Sequence, residues 1–131
     1  MRLKKRIALI TPFSPPGVGG AETHLEDLYE YLRTHNCFTY VLTYQPITVN
    51  IKGPSLEKKP NLEIHRFWWP GYNLFHKLEP YPVLEFLYLT PYLFLRSFLF
   101  MLKNTQKIDV IHAHGLNAAF VAKFLLFFFK R

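Results

Sequence analysis

The sequence predicts an α/β fold, an open parallel sheet with helices on both faces, and three observations carry that prediction. Short continuous apolar runs such as Ile7-Ala8-Leu9-Ile10 have the signature of strands buried on both faces. From Ala21 the apolar period lengthens, with Ala21, Leu25, Leu28 and Leu32 falling on one stripe of a helix. The elements then follow as strand, helix, strand, strand, helix, strand, helix, an order that favours parallel strands joined by crossover helices.

Each element has its own reason. The opening MRLKKR is basic, and the apolar run behind it is closed at once by Thr11-Pro12. A secretory leader needs an apolar region of about 7–15 residues, so Arg6 to Thr11 reads as a first strand. The junction TPFSPPGVGGAETH, Thr11 to His24, then crowds prolines and glycines ahead of the helix. Glu22 and Glu26 stand near the start of that helix, where its dipole favours negative charge. Phe38 to Thr43 reads as the second strand, and residues 44–60, with Pro, Gly, Lys and Ser, as a loop. Leu62 to Phe67 alternates as a third strand and runs into the aromatic turn Trp68-Trp69-Pro70-Gly71. Ile108 to His112 is a further short buried strand, and Asn117 to Lys130 an apolar helix.

Val83 to Leu102 is apolar or aromatic except at Glu85, Thr90, Pro91, Arg96 and Ser97. Its length would span a bilayer. A charge near mid-span costs about 2.5–3.5 kcal/mol, and Glu85 and Arg96 both fall inside it. The expected element is therefore a buried helix, or one or two helices broken near Pro91, with a face that can touch lipid. Lys77, Arg96, Lys103 and Lys107 would suit an anionic bilayer surface.

Composition narrows the function classes. Half of the 131 residues are hydrophobic and 18% aromatic, which excludes a disordered chain. A net charge of +7 draws anionic partners, but the Lys and Arg residues are scattered rather than banded, which argues against a nucleic-acid binder. Cys37 is the only cysteine, so neither an internal disulfide nor a paired-thiolate metal site can form. A reducing, cytoplasmic setting follows, peripheral to the inner face of a membrane if the aromatic middle touches lipid.

Two places can carry chemistry. The first is the glycine loop, Gly17 to Gly20. It is not a dinucleotide fingerprint, because the third glycine of that pattern would fall at Glu22, and no acid closes the second strand to hold a ribose. No cofactor is therefore expected. A glycine loop between a strand and a helix start offers free amides and a positive dipole end to an anionic ligand, or else makes only a tight turn. The second place is His112-Ala113-His114-Gly115, at the end of the last strand. Ligands of open parallel sheets bind outside the carboxyl ends of strands. Two histidines without a third ligand make poor metal binders. His112 is expected to be packed and His114, further into the loop, to contact a ligand. His24, one turn into the helix, either faces the same cleft or packs against the helix, and Glu22 is either a further substrate contact or a cap on the free amides. His35, His65 and His76 have no partner pattern and read as surface residues.

Pro15-Pro16 through Gly19-Gly20-Ala21-Glu22 and His24, followed by Leu25, Leu28 and Leu32, and then Asp109 to Gly115, resemble the N-terminal part of a family-four retaining glycosyltransferase of the GT-B fold. The resemblance implies two Rossmann-like domains with the active site between them. The N-terminal one binds a lipid-linked or polysaccharide acceptor, and the C-terminal one grips a nucleotide-sugar donor. It implies that Gly19 and Gly20 line the cleft by the donor phosphates or the acceptor, that His114 contacts the reacting sugar or acceptor, and that no metal is needed. Residues 1–131 then form a single acceptor-side domain. The donor domain lies outside them, as a partner to be supplied, and the polypeptide alone is not expected to transfer sugar. The competing expectation is a non-catalytic module that binds a membrane or a partner through residues 80–102.

Overall fold

The computed structural model describes residues 5–12, 20–45, 53–68, 77–78, 80–104 and 108–129. Five strands and three helices follow in the order β1 (Lys5–Ile10), α1 (Gly20–Thr34), β2 (Cys37–Tyr44), β3 (Leu56–Lys59), β4 (Leu62–Phe67), α2 (Pro82–Asn104), β5 (Val110–Ala113) and α3 (Leu116–Phe128). The sheet order is β3-β4-β2-β1-β5. β1 pairs in parallel with β2 and β5, and β2 with β4, whereas β3 is antiparallel to β4.

The fold is thus α/β with a mostly parallel sheet, and the antiparallel margin corrects the expectation of a loop throughout 44–60. β3 is Leu-Glu-Lys-Lys, too charged to show an apolar alternation, which is how edge strands commonly protect themselves. A two-residue turn joins it to β4, with Asn61 in the left-handed region at φ 64. The Asn61 side-chain amide donates to the Arg33 carbonyl at 3.2 Å, which ties the hairpin to the end of α1. Buried Arg66 holds the same hairpin from its other end, donating to Glu57 at 2.9 Å and to the Pro54 carbonyl at 3.1 Å.

The alternation of the strands divides the core between two faces. Leu9, Val41, Leu62 and Ile64 meet Leu25 and Tyr29 of α1 on one side. Ala8, Ile10, Leu42, Tyr44 and Phe67 meet α2 and α3 on the other, where Leu89, Leu93, Met101, Val121 and Leu125 are buried. α2 runs unbroken through Pro91, which corrects the alternative of a break there. Pro91 and Leu87, whose carbonyl loses its helical partner to the proline ring, both lie on the exposed side, so the lost bond can be met by water. α2 is long and apolar enough to cross a membrane, yet Leu89, Leu93 and Met101 are wholly buried in the core.

The connections place the site. The chain leaves β1 through α1 towards β2, and returns from β4 through α2 to β5 on the other side of β1. The strand order therefore reverses between β1 and β5, and the crevice at their carboxyl ends is where open α/β sheets hold ligands.

Candidate functional site

β5 is fastened to β1 at both of its ends. At the start, the Asp109 amide donates to the Arg6 carbonyl at 2.8 Å, and the Arg6 amide donates to the Asp109 carboxylate at 2.9 Å. At the finish, the His114 amide donates to the Ile10 carbonyl at 3.0 Å, one residue beyond the strand. Buried Thr11 continues β1 in the same way, its amide donating to the Leu42 carbonyl at 3.1 Å. His114 is thereby held at the carboxyl edge of the sheet.

Gly115 then turns the chain into α3 at φ 98. A Cβ on Gly115 would meet nothing within 4 Å, so the backbone conformation rather than crowding calls for glycine. No side chain caps α3, and its first helical bond runs from the Ala119 amide to the Gly115 carbonyl at 2.9 Å. The amides of Leu116, Asn117 and Ala118 are left without helical partners, at the positive end of the helix dipole. The Asn117 side chain is occupied elsewhere, donating to the Thr90 hydroxyl of α2 at 3.0 Å.

Across this turn lies the first helix. The His24 ring stacks on the His114 ring, with centroids 5.6 Å apart and planes 27° from parallel. That stack brings the second turn of α1 beside the β5–α3 turn. Two helix starts and two imidazoles therefore flank the point where the strand order reverses. Burial, with the His24 and His112 rings nearby, holds the His114 imidazole below its ordinary pKa. A neutral ring at pH 7 donates from one nitrogen and accepts at the other, which suits a hydroxyl better than a phosphate.

The sequence candidates are placed unevenly. His24 and His114 meet. Gly20 opens α1. Glu22 lies in the first turn of α1, but its side chain, like Gly19, is outside the described residues. His112, expected to be packed, is exposed. It shares a face with Leu9 on the edge strand, where the α1-side core of Leu25 and Tyr29 does not extend. His35 is exposed as expected, with its ring stacked on Tyr31 at 3.9 Å. His65 corrects the reading of a surface residue, because it is half-buried under α2 with its ring centroid 5.4 Å from that of Phe100 in a T-shaped contact. His76 and the turn 69–71 fall outside the described residues. Among the described residues no group of three or more His, Cys, Asp or Glu side chains could hold a metal ion.

No protein-family model, curated protein or solved structure matches this chain.

Proposed function

We propose that the chain is the acceptor-side portion of a GT-B glycosyltransferase, acting with a domain that supplies a nucleotide-sugar donor. The observation that carries this reading is the His24–His114 stack at the reversal point, which joins the start of α1 to the β5–α3 turn. The two helix starts offer amides and dipole ends to a diphosphate without a metal. The neutral His114 ring suits a sugar hydroxyl. Of the two sequence motifs, Gly20 stands at the start of α1 and His114-Gly115 before α3.

The reading is tested in the assembly that includes the donor domain, by measuring sugar transfer to a lipid-linked or polysaccharide acceptor. Gly20→Trp should block the crevice, and His114→Ala should lower kcat/KM by about 10²-fold, as loss of a positioned proton-transfer or hydrogen-bonding group commonly does. Transfer that is unchanged in both variants would overturn the assignment.

A second reading, a non-catalytic module docking on a membrane, is favoured by one observation. Val83, Leu84, Leu87, Leu95, Leu99 and Leu102 of α2 are exposed. Flotation with vesicles of neutral and of anionic lipid tests it. Association with neither removes it.

A further inference from the structure

The described residues leave a cavity of about 520 Å³ between α2 and the β2–β4 face, remote in the chain from the His24–His114 turns and sharing no residue with them. Its lining on α2 is Arg96, Leu99, Phe100, Lys103 and Asn104, one stripe of the helix beside the buried stripe of Leu89, Leu93 and Met101. The sheet contributes Tyr40, Glu63, His65 and Phe67. Tyr40 and Glu63 are register partners on adjacent strands, so their side chains stand together on this face.

The floor is aromatic. The Phe100 ring centroid lies 5.4 Å from that of Tyr40 and 5.4 Å from that of His65. The rim is polar and carries both signs of charge. The Arg96 guanidinium sits over the Phe67 ring at 4.6 Å, and Lys103 lies two turns further on, about 10 Å along the helix axis. Among the described residues neither cation has a carboxylate within salt-bridge distance. The His65 Nε2 is buried and has no hydrogen-bond partner among the described residues, with the Glu63 carboxylate 3.6 Å away, too far for a hydrogen bond. Burial holds His65 below its ordinary pKa, so its ring adds no charge at pH 7. The Asn104 amide nitrogen is committed to the Phe100 carbonyl at 2.9 Å, which leaves its side-chain oxygen as an acceptor.

We propose that this groove binds an acidic oligosaccharide, its ring face on Phe100, its hydroxyls on Glu63 and Asn104, and its carboxylates on Arg96 and Lys103. A bare phosphate would use the two cations but would leave Glu63 repelling it. A neutral glycan would use Glu63 and Asn104 but would leave two cations unmatched, more than one pyranose ring apart. An acidic oligosaccharide engages both sets. The proposal concerns binding alone and does not depend on sugar transfer or on the donor domain.

The test is calorimetric titration of the full chain with oligogalacturonate, and with maltohexaose as the neutral counterpart. Oligogalacturonate should bind, and maltohexaose should bind at least tenfold more weakly. Lys103→Gln, at an exposed position, should weaken oligogalacturonate at least tenfold, as should Phe100→Leu, which keeps bulk but removes the ring. Lys5→Gln with Lys123→Gln removes charge elsewhere and should change affinity less than twofold. Equal weakening by that control pair would reduce the effect to overall charge and overturn the site. Equal binding of maltohexaose would overturn the role of the two cations. Displacement of oligogalacturonate by vesicles rich in phosphatidylglycerol, with no loss in Phe100→Leu, would assign the cations to a lipid surface and overturn the saccharide.

Discussion

β4 sends its side chains to two faces with different balances of charge. On the α1 side, Ile64 and Arg66 line a cavity of about 310 Å³ shared with four acids, Glu26, Asp27, Glu30 and Glu57, and with Lys59. On the α2 side, His65 and Phe67 line the larger groove with Arg96 and Lys103. The buried ion on the acidic side is matched, because Arg66 is bonded to Glu57. Among the described residues the cations on the other side have no carboxylate within salt-bridge distance. Matched charges inside a fold serve its stability, whereas unmatched ones at a groove are available to a ligand. The packing differs too, since one helix covers the acidic face and two cover the other.

The largest expected effect sharpens the packing difference. Leu93→Ala, between sheet and helices on the two-helix face, should cost about 3–5 kcal/mol, and Leu25→Ala under α1 about 2–3 kcal/mol, because a face covered by one helix can relax further into the cavity. Urea unfolding midpoints decide it, and a larger loss for Leu25→Ala would break the distinction. Next comes the charge contrast. Glu57→Gln should cost about 1–3 kcal/mol by weakening the partner of buried Arg66. Glu63→Gln, which loses only a 3.6 Å approach to His65, should change stability by about 0.5 kcal/mol or less. Similar losses in both would show that the two carboxylates do the same work.

The smallest effects lie in pH dependence, and the two faces separate by window. Burial holds His65 and His114 below about 6.5, so the unfolded chain takes up protons first, and stability falls as pH drops from about 6.5 towards their native values. Glu63, Lys58 and Arg96 surround His65, and only Glu63 opposes the shift. His65→Asn should flatten that slope. Burial alone would raise the Glu57 carboxyl, but Arg66 and Lys59 hold it below the ordinary range. Its contribution is complete above about pH 4.3 and is lost as pH falls through its native value, so Glu57→Gln should flatten only the acid limb. Thermal unfolding across the pH range, with both variants, reads the two windows separately.

The sequence made the strand and helix skeleton legible wherever burial writes a period into it. Leu62 to Phe67 was readable to the residue, since β4 alternates between two packed faces. β3 was not, because an edge strand of Glu and Lys carries no apolar period. β5 begins at Val110 rather than Ile108, since the Asp109 side chain bonds the Arg6 amide instead of continuing the ladder regularly. Of the site, the sequence left open whether His24 faces the cleft or packs against its helix, and the ring stack with His114 comes from the fold. The exposure of His112 was not legible either, because it depends on which strand ends up uncovered. His65 carries no local signal at all. Its surroundings come from Tyr40 and Phe100, residues distant in the chain that only the sheet register and the α2 crossover bring together.

The two margins of the sheet are unlike. β3 presents Lys58 and Lys59 at one side, while β5 presents Val110-Ile111-His112-Ala113 at the other, paired among the described residues only with β1. Lysines discourage a further strand and a margin without them accepts one more readily. A sheet defended at one border and open at the other lengthens more readily in one direction.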